Sequence, residues 1–290
     1  MSHHHQSLSG SRYELHLTRD GANEVKAHHF YAIQPGDLEE EEDKDSDIDM
    51  VGYVHSWEVG STVDGPGLRF VAFLSGCLLR CQYCHNPDTW HKLNGRPVTL
   101  GRSMHQIAKY AQVLKASRGG ITLSGGEPMV QKAFMMQIFR RCKGLGLHTC
   151  IDTAGRLGAR LSDDDLMQID LNLLDIKSGD PATYEKVTRH PLQPTLDYAK
   201  RLSELGRPVW VRFVLAPGLT DAWDNVEKVA DIAAGIRSLE RVEILRFHQM
   251  GRDKWHRLGL DYMLEDLEPP TPELTERVRG QFRSRGLTVY

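Results

Sequence analysis

The sequence predicts an α/β fold in which a parallel sheet, open or barrel-like, is combined with helices. Short apolar runs alternate with helical segments along most of the chain. These runs lack the polar alternation of a strand with one solvent-facing side, as expected when both faces of a sheet are covered. The 290 residues, 40% of them hydrophobic, are enough for one large domain. Such alternation is typical of βα units with parallel strands.

Six strand–helix units follow one another. The strands are predicted at residues 68–76, 120–124, 147–152, 171–176, 208–215 and 241–247. The helices are predicted at residues 104–116, 130–143, from Ser162 onwards, 195–205, 223–236 and 272–282. A bilayer span needs about 18 or more consecutive apolar residues, and the sequence contains no such run. The sequence therefore predicts no membrane partner.

Charge divides the chain into two parts. Residues 1–49 hold 4 Lys/Arg and 12 Asp/Glu, a net charge of −8, whereas residues 50–290 carry +5. The acidic run at 37–49, DLEEEEDKDSDID, repels itself and cannot bury apolar area. We therefore expect a tag-like, acidic and disordered leader over 1–49 and one domain over 50–290. The mild positive charge of that domain suits an acidic protein partner and does not by itself indicate nucleic acid, which we do not expect as a partner.

The five cysteines indicate a metal site. Cys77, Cys81 and Cys84 form a C-x3-C-x2-C run on a loop after the first predicted strand. Without an apolar export signal, an odd number of cysteines in this spacing favours metal binding over disulfides, and a cytoplasmic location. An iron–sulfur cluster is favoured over structural zinc, because the fourth zinc ligand, His85, directly follows Cys84 and could close a tetrahedron only awkwardly. Cys142 and Cys150 are predicted to be core thiols.

Each of the other predicted strands carries a polar residue within it, ends in one or is followed by one. In parallel α/β sheets, functional groups gather beyond the carboxyl ends of the strands, so we expect these residues to share one edge. A charge inside an apolar strand, as at Arg212, also needs a partner. The residues, in chain order, are Gly125, Gly126 and Glu127, then Asp152 and Thr153, then Asp175, Ile176 and Lys177, then Arg212, and finally His248. Asp175 and Lys177 would equally suit an ordinary ion pair at a strand end.

Two of these motifs carry a resemblance to a known superfamily. The cysteine run, with Tyr83 before the last cysteine, resembles the cluster motif of radical S-adenosylmethionine (SAM) enzymes. The Gly125–Glu127 turn, followed by Pro128, resembles their methionine-binding motif. Other segments are similar to the family of pyruvate formate-lyase-activating enzymes: TVDGPGLRF at 62–70, CHNPDTW at 84–90, HTCIDT at 148–153, LDIK at 174–177 and WVRF at 210–213. The match covers the chain from about residue 51 onwards, without the cysteine-rich insert of other glycyl radical activases.

The resemblance implies a partial (β/α)6 barrel with parallel strands and a cluster loop after the first strand. Its cofactors would be a 4Fe-4S cluster and SAM, which binds the fourth iron. Cys77, Cys81 and Cys84 would bind the other three irons. The residues implied to bind SAM or to line its site are Tyr83, Cys84, His85, Gly125, Gly126, Glu127, Asp152, Thr153, Asp175, Ile176, Lys177 and His248. Asp152, Thr153 and Asp175 are also implied to hold a monovalent cation.

The resemblance further implies a protein substrate. A glycyl radical enzyme, namely pyruvate formate-lyase, would present a backbone glycine, and a flavodoxin-like or ferredoxin-like protein would supply the electron. Asp64 and Arg212 would contact the glycine segment, although Asp64 in Asp-Gly-Pro-Gly also suits a turn. Two alternatives remain at this point: a radical SAM enzyme for a small molecule, and a zinc-stabilised binding module.

Overall fold

The computed structural model describes residues 47–290, which form an eight-stranded sheet and eight α-helices. The prediction for residues 1–46 lies outside the described residues. The strands are β1 (Val51–Ser61), β2 (Arg69–Leu74), β3 (Arg96–Thr99), β4 (Gly120–Gly125), β5 (His148–Thr153), β6 (Leu171–Asp175), β7 (Val209–Leu215) and β8 (Leu239–Arg246). The helices are α1 (Leu100–Ala116), α2 (Lys132–Gly144), α3 (Asp163–Met167), α4 (Pro181–Thr188), α5 (Gln193–Glu204), α6 (Trp223–Ala234), α7 (Arg252–Arg257) and α8 (Pro272–Arg283).

The strand order is β3-β1-β2-β4-β5-β6-β7-β8, and the six predicted strands, β2 and β4–β8, all run parallel. This confirms the α/β fold and its parallel sheet. The two antiparallel strands at the edge, β1 and β3, were not predicted. The strand β1 carries His55, Ser56 and Glu58, so it lacks the continuous apolar run that identified the others. The cysteine loop consequently follows the first parallel strand, as expected, but the second strand of the chain.

The sheet is curled into a partial barrel. Arg212 on β7 contacts Asp64 and the carbonyl of Val63, which precede β2. In a flat sheet these strands, four positions apart, would lie about 19 Å from one another at the usual interstrand spacing. Only a curved sheet brings the two segments within hydrogen-bonding distance. The predicted partial barrel is therefore present, with the edge strands left unjoined.

The helices pack on the parallel sheet through apolar faces. Residues such as Ile107 of α1, Phe139 of α2 and Phe282 of α8 are fully buried in the main hydrophobic core. A separate cluster of Cys150, Leu171, Leu173 and Trp210 is also buried, and Cys142 belongs to the main core, so both predicted core thiols are confirmed. Within residues 47–290, no helix has the length and apolar character needed to cross a bilayer.

The predicted helices are present, with ends shifted by a few residues. Ser162 begins α3 with a capping box, in which its side chain accepts from the N–H of Asp165 and the Asp165 carboxylate accepts from the N–H of Ser162. Two short helices, α4 and α7, were not predicted. They have only 8 and 6 residues, too few for a periodic apolar pattern to be recognisable.

The first described residues pack onto the domain. Residues 47–49, which the charge pattern assigned to the leader, form a turn. The carbonyl of Ile48 accepts a hydrogen bond from the N–H of Gly101 (3.1 Å), and the carboxylate of Asp47 accepts one from Gln137 (3.1 Å). These contacts join the turn to α1 and α2. The leader boundary at residue 49 itself stays a prediction.

We predict that two truncations separate the leader from the domain. Removing residues 1–46 will leave the thermal midpoint unchanged, because the acidic run has no pattern that forms a core. Removing residues 1–50 will lower the stability by about 1–3 kcal/mol, because the contacts of Asp47 and Ile48 are lost. Thermal unfolding of both truncations, followed by circular dichroism, makes the comparison. Equal midpoints for the two would contradict it.

Candidate active site

The predicted site residues lie together at the carboxyl edge of the parallel strands. The cysteine loop follows β2, the Gly125–Glu127 turn ends β4, Asp152 and Thr153 end β5, Asp175 ends β6, Arg212 lies in β7 and His248 follows β8. Ile176 is the exception: its side chain is fully buried in the main hydrophobic core, so only its backbone faces neighbouring strands, where its N–H donates to the carbonyl of Arg212 (3.0 Å). The chain thus brings these groups to one edge because all six strands are parallel.

The cysteine loop is fixed by backbone hydrogen bonds. Cys77 N–H donates to the carbonyl of Trp90 (3.0 Å), and Cys84 N–H donates to the carbonyl of Cys81 (3.0 Å). Between these two cysteines, the backbone N–H groups of Arg80 and Gln82 donate hydrogen bonds to carbonyls at the end of α4. The helix α4, which sequence reasoning missed, therefore supports the loop from outside.

The three thiols are close enough to affect one another's ionisation. Burial raises the pKa of Cys81 to about 12, and it also raises the pKa of Cys77 and of Cys84. For Cys77, the neighbouring Cys81, Glu127 and Cys84 raise the pKa further. Within residues 47–290, no three His, Cys, Asp or Glu side chains converge where a single metal ion could bind. An iron–sulfur cluster does not require such convergence, because each thiolate binds a different iron atom.

The Gly125–Glu127 turn joins β4 closely to the cysteine loop. Gly126 N–H donates to the carbonyl of Leu74 (2.7 Å), and Glu127 N–H donates to the carbonyl of Gly76 (2.7 Å). Gly125 has a φ of +106°, and a Cβ on Gly126 would lie 2.4 Å from the Gly76 carbonyl oxygen. Both positions therefore require glycine.

Glu127 is a buried carboxylate with its own hydrogen-bond donors. It is 4% exposed and lies 2.8 Å from the hydroxyl of Thr153 and 3.2 Å from the N–H groups of Ala154 and Met129. Burial raises the pKa of Glu127 to about 7, although these hydrogen bonds lower it. A carboxylate in this setting is suited to accept a positively charged or hydrogen-bonding group that enters the site.

Asp175 and Lys177 form an ion pair of 2.7 Å with side chains only 18% and 13% exposed. Burial raises the pKa of Asp175, and the Asp175 charge holds the pKa of Lys177 well above its usual value in spite of burial. The Lys177 ammonium lies 5.8 Å from the ring centroid of Tyr83, which precedes the last cysteine of the loop. The pair therefore connects β6 to the cysteine loop.

The buried polar atoms without a hydrogen-bond partner among the described residues include the hydroxyl of Tyr83 and Oδ1 of Asp152. Buried polar atoms nearly always have partners, so both indicate room for a group that is part of the working site. Together with three thiols on one loop and the Glu127 carboxylate, these atoms fit a 4Fe-4S cluster with a polar cofactor beside it.

Arg212 lies among carboxylates. It is 7% exposed; its Nε donates to Glu243 (2.9 Å), and its Nη1 lies 3.6 Å from Asp64 and 3.5 Å from Asp152. Burial lowers the pKa of Arg212, but Asp152, Asp64 and Glu243 outweigh it and raise the pKa above its ordinary value. A stable positive charge therefore lies beside the segment that precedes β2.

Hydrogen bonds from Ser61 and Thr122 hold Asp64 in place on that segment. Its side chain accepts from the hydroxyl of Ser61 (2.5 Å), and its carbonyl accepts from the hydroxyl of Thr122 (2.6 Å). Thr122 in turn accepts from Nε of the fully buried Arg69 (2.9 Å), which also donates to the carbonyl of Pro66 (3.4 Å). The Asp-Gly-Pro-Gly segment lies in a stretch of bends, residues 62–68, and these contacts hold Asp64 beside Arg212.

His85 and His248 face each other, with ring centroids 4.1 Å apart. Burial lowers the pKa of His248. Gly251 lies so close to the cysteine loop that a Cβ there would come within 2.9 Å of His85 Cα. The segment after β8 therefore packs directly against the loop.

Several residues of this site were missed by sequence reasoning. Trp255 of α7 donates its indole N–H to the carbonyl of Cys84 (2.8 Å), and Lys254 donates to Asn86 (2.8 Å). Glu243, next to Arg212 across the β7–β8 pair, was missed as well. A signal was available for Glu243, because charged Arg241 and Glu243 alternate with apolar residues in the last strand, but none was available for the short helix α7.

Comparison with known proteins agrees with this arrangement. A family model described as "4Fe-4S single cluster domain" matches residues 63–185. The chain is 45% identical over 232 residues to the pyruvate formate-lyase-activating enzyme of Staphylococcus epidermidis, covering 77% of this chain and 92% of that protein. It is 38% identical over 246 residues to the pyruvate formate-lyase 1-activating enzyme of Escherichia coli (strain K12), covering 83% and 99%.

Solved structures agree on the fold. A radical SAM methyltransferase from Sphaerobacter thermophilus aligns with a TM-score of 0.55 at 19% identity, covering 81% of this chain and 72% of that one. SuiB of Streptococcus suis, bound to the precursor peptide SuiA, aligns with a TM-score of 0.54 at 16% identity, covering 78% and 48%. At such low identity these structures support the radical SAM fold alone.

The sequence relatives decide the family. Both are named activating enzymes, are well above 30% identical to this chain and are covered almost completely by it. The alternatives of a small-molecule enzyme and of a zinc-stabilised module are not favoured by these relatives. By its similarity to these relatives, the chain belongs to the family of pyruvate formate-lyase-activating enzymes.

Proposed function

We propose that this chain is a radical SAM activase that cleaves SAM reductively and removes a hydrogen atom from a backbone glycine of pyruvate formate-lyase. The observation that carries the proposal is the direct junction of two motifs. The cysteine loop and the Gly125–Glu127 turn are joined by the hydrogen bonds to the carbonyls of Leu74 and Gly76, 2.7 Å each. A cluster on the loop and a cofactor on the turn would therefore be neighbours. When bound, the cluster supplies an electron and SAM supplies the group that abstracts hydrogen.

The thiols of Cys77, Cys81 and Cys84 are the proposed iron ligands. Because burial raises their pKa values, the thiols give up protons when iron binds, so iron binding is coupled to proton release. Glu127 is proposed to accept from the amino group of SAM, with Gly125 and Gly126 allowing close approach of the backbone. These assignments place the methionine part of SAM over the end of β4.

The adenosine part of SAM is proposed to lie towards Tyr83, His85 and His248. The Asp175–Lys177 ion pair, beside the Tyr83 ring, is proposed to contact the ribose and carboxylate regions. Ile176 is proposed to contribute only through its backbone.

A monovalent cation is proposed beside SAM. Asp152 offers Oδ1, which has no hydrogen-bond partner among the described residues, and Asp175 lies at the end of the adjacent strand β6. Thr153 is the third proposed ligand, and its hydroxyl also lies against Glu127. Oxygen ligands of this kind suit a hard cation.

The partner's glycine segment is proposed to bind at Asp64 and Arg212. Arg212 is buried and fixed by several hydrogen bonds and ion pairs, so it presents its guanidinium group without a large entropic cost. Hydrogen abstraction requires the target carbon to be held close to the attacking atom, and a rigid pair of charged groups provides such positioning.

A flavodoxin-like or ferredoxin-like protein is the proposed electron donor, and the cytoplasm is the proposed location. The five cysteines are all free. Free thiols that bind a reducible cluster suit a reducing compartment, in which such electron carriers operate.

The central test of the proposed function is anaerobic incubation of the iron-loaded protein with SAM, a reductant and pyruvate formate-lyase. Electron paramagnetic resonance should detect an organic radical on the lyase, and SAM cleavage without that radical would refute the proposal.

We predict that Cys81→Ala will abolish the cluster, whereas Cys142→Ala will keep it. Each ligand thiolate supplies a bond that nothing nearby replaces, but Cys142 lies in the hydrophobic core. Iron and sulfide content after anaerobic reconstitution, together with the visible absorption spectrum, provides the measurement. A normal iron content in Cys81→Ala would be incompatible with the proposed ligands.

We predict opposite effects for Glu127→Gln and Arg212→Lys. Glu127→Gln removes a buried charge beside SAM and will weaken SAM binding about 10-fold or more. Arg212→Lys retains a positive charge among the carboxylates, so the protein will fold and bind SAM, but the compact ammonium cannot replace the guanidinium fork and radical yield will fall. SAM affinity and radical yield are measured for both variants. If Arg212→Lys instead lost SAM affinity and Glu127→Gln lost only radical yield, the roles proposed for the two residues would be reversed.

A further inference from the structure

Arg212 and Glu243 are direct neighbours across two strands. In the β7–β8 pair, Arg212 lies opposite Glu243 and Trp210 lies opposite Arg241. Because side chains of a strand alternate between faces, Arg212 and Trp210 lie on one face, and Glu243 and Arg241 lie on the same face beside them. Two rungs of the sheet thus bring four large polar or aromatic side chains together.

Glu243 uses its two oxygens for two different arginines. Oε2 accepts from Nε of Arg212 at 2.9 Å, and Oε1 accepts from Nη2 of Arg241. Glu243 is 9% exposed, so water competes little for these hydrogen bonds. A carboxylate that accepts from two guanidinium groups is fixed in direction by both of them.

Arg241 is itself immobilised. Its guanidinium carbon lies 3.3 Å from the ring centroid of Trp210 and 4.9 Å from that of Tyr290. Trp210 is fixed in turn, because its indole N–H donates to Glu240 at 2.7 Å. Arg241 therefore holds Glu243 from the side that faces away from Arg212.

The position of Glu243 determines where Arg212 points. Since Nε of Arg212 is engaged by Glu243, the other two nitrogens of the planar guanidinium group must face Asp64, Asp152 and the carbonyl of Val63. Asp64 and Asp152 are on other elements, so neither reproduces the contact at Nε.

We propose that Glu243 is a positioning residue: held by Arg241, it directs the Arg212 guanidinium group towards Asp64 and Asp152, where the partner's glycine segment is proposed to bind. The inference rests on the proposed function of Arg212. It extends that function to a pair of residues, Glu243 and Arg241, that touch neither the cluster loop nor the Gly125–Glu127 turn in the contacts described.

The chemistry of the pair suggests a specific variant. In Glu243→Gln the side chain retains one oxygen that can accept a hydrogen bond. Its amide nitrogen is a donor, so it cannot accept from the second arginine, and either Arg212 or Arg241 loses its partner. Arg241→Met removes the second donor and restores the charge balance, while the long side chain still covers Trp210. The double variant Glu243→Gln/Arg241→Met should therefore work better than Glu243→Gln alone.

The experiment compares iron-loaded wild type, Glu243→Gln, the double variant and the control Glu240→Gln, which neutralises a carboxylate on the same strand. Radical formation on pyruvate formate-lyase is measured at saturating SAM and varied lyase concentration, and SAM affinity is measured separately. Glu243→Gln should reduce kcat/KM for the lyase about 10- to 100-fold, as expected for a lost hydrogen bond to a charged group. Its SAM affinity and iron content should equal those of wild type. The double variant should recover only part of the loss, because the amide oxygen is then free for Arg212 but the support from Arg241 is gone. Glu240→Gln should behave as wild type, because its amide oxygen can still accept from the indole N–H of Trp210.

Two results would overturn the inference: a Glu243→Gln variant that matches Glu240→Gln, or a double variant that is less active than the single one. If Glu243→Gln does not fold, Glu243→Asp replaces it, because the shorter side chain withdraws the carboxylate from Arg212 and retains the charge; unchanged kcat/KM in that variant would also refute the inference. Failure of the proposed function is distinguishable, since the wild type itself would then form no radical on the lyase.

Discussion

The buried charge of Arg212 is the constraint on which the rest of the site depends. A guanidinium group inside a sheet must be paired, because an uncompensated buried charge costs several kcal/mol or more. Its partners come from the neighbouring strand β8, from β5, two positions away in the sheet, and from the segment before β2, a strand four positions away. Satisfying this one charge therefore requires the curvature that turns an open parallel sheet into a partial barrel, and it places Asp64 over the strand ends.

The site also depends on the close approach of β2 and β4. Their parallel pairing continues from Arg69–Gly120 to Leu74–Gly125, and the two loops that follow are then joined through the carbonyls of Leu74 and Gly76. Only glycine permits this approach at Gly125 and Gly126. The thiol loop and the turn that ends in Glu127 are consequently held by main-chain contacts, which makes their separation insensitive to side-chain motion.

The sequence was sufficient to predict the parallel strands and the site residues that lie at their carboxyl ends. The six parallel strands are mostly apolar, and their parallel direction was enough to place the cysteine loop, Glu127, Asp152 and Arg212 at one edge. Sequence reasoning failed for β1, whose polar residues conceal its pairing with β2 and β3, and for α7, which has six residues. Sequence reasoning named Ile176 for the cofactor site without distinguishing side chain from backbone. The side chain lies in the core, because strand alternation between Asp175 and Lys177 turns it inward, and only the backbone is left for the proposed role.

The missed residues share a physical cause. Trp255 supports Cys84 from a helix that follows β8, and Glu243 supports Arg212 from the neighbouring strand, so each acts through a contact that only the folded register creates. Their sequence neighbourhoods contain no motif, because their task is to orient another residue and not to touch a ligand. A motif search therefore finds the residues that would contact the cofactor. The residues that orient them are identified only from the strand pairing and hydrogen bonds of the folded chain. In this chain the supporting groups come mainly from the segment after β7, several strands away from the cysteine loop in the sheet, and the curvature of the partial barrel brings the two together.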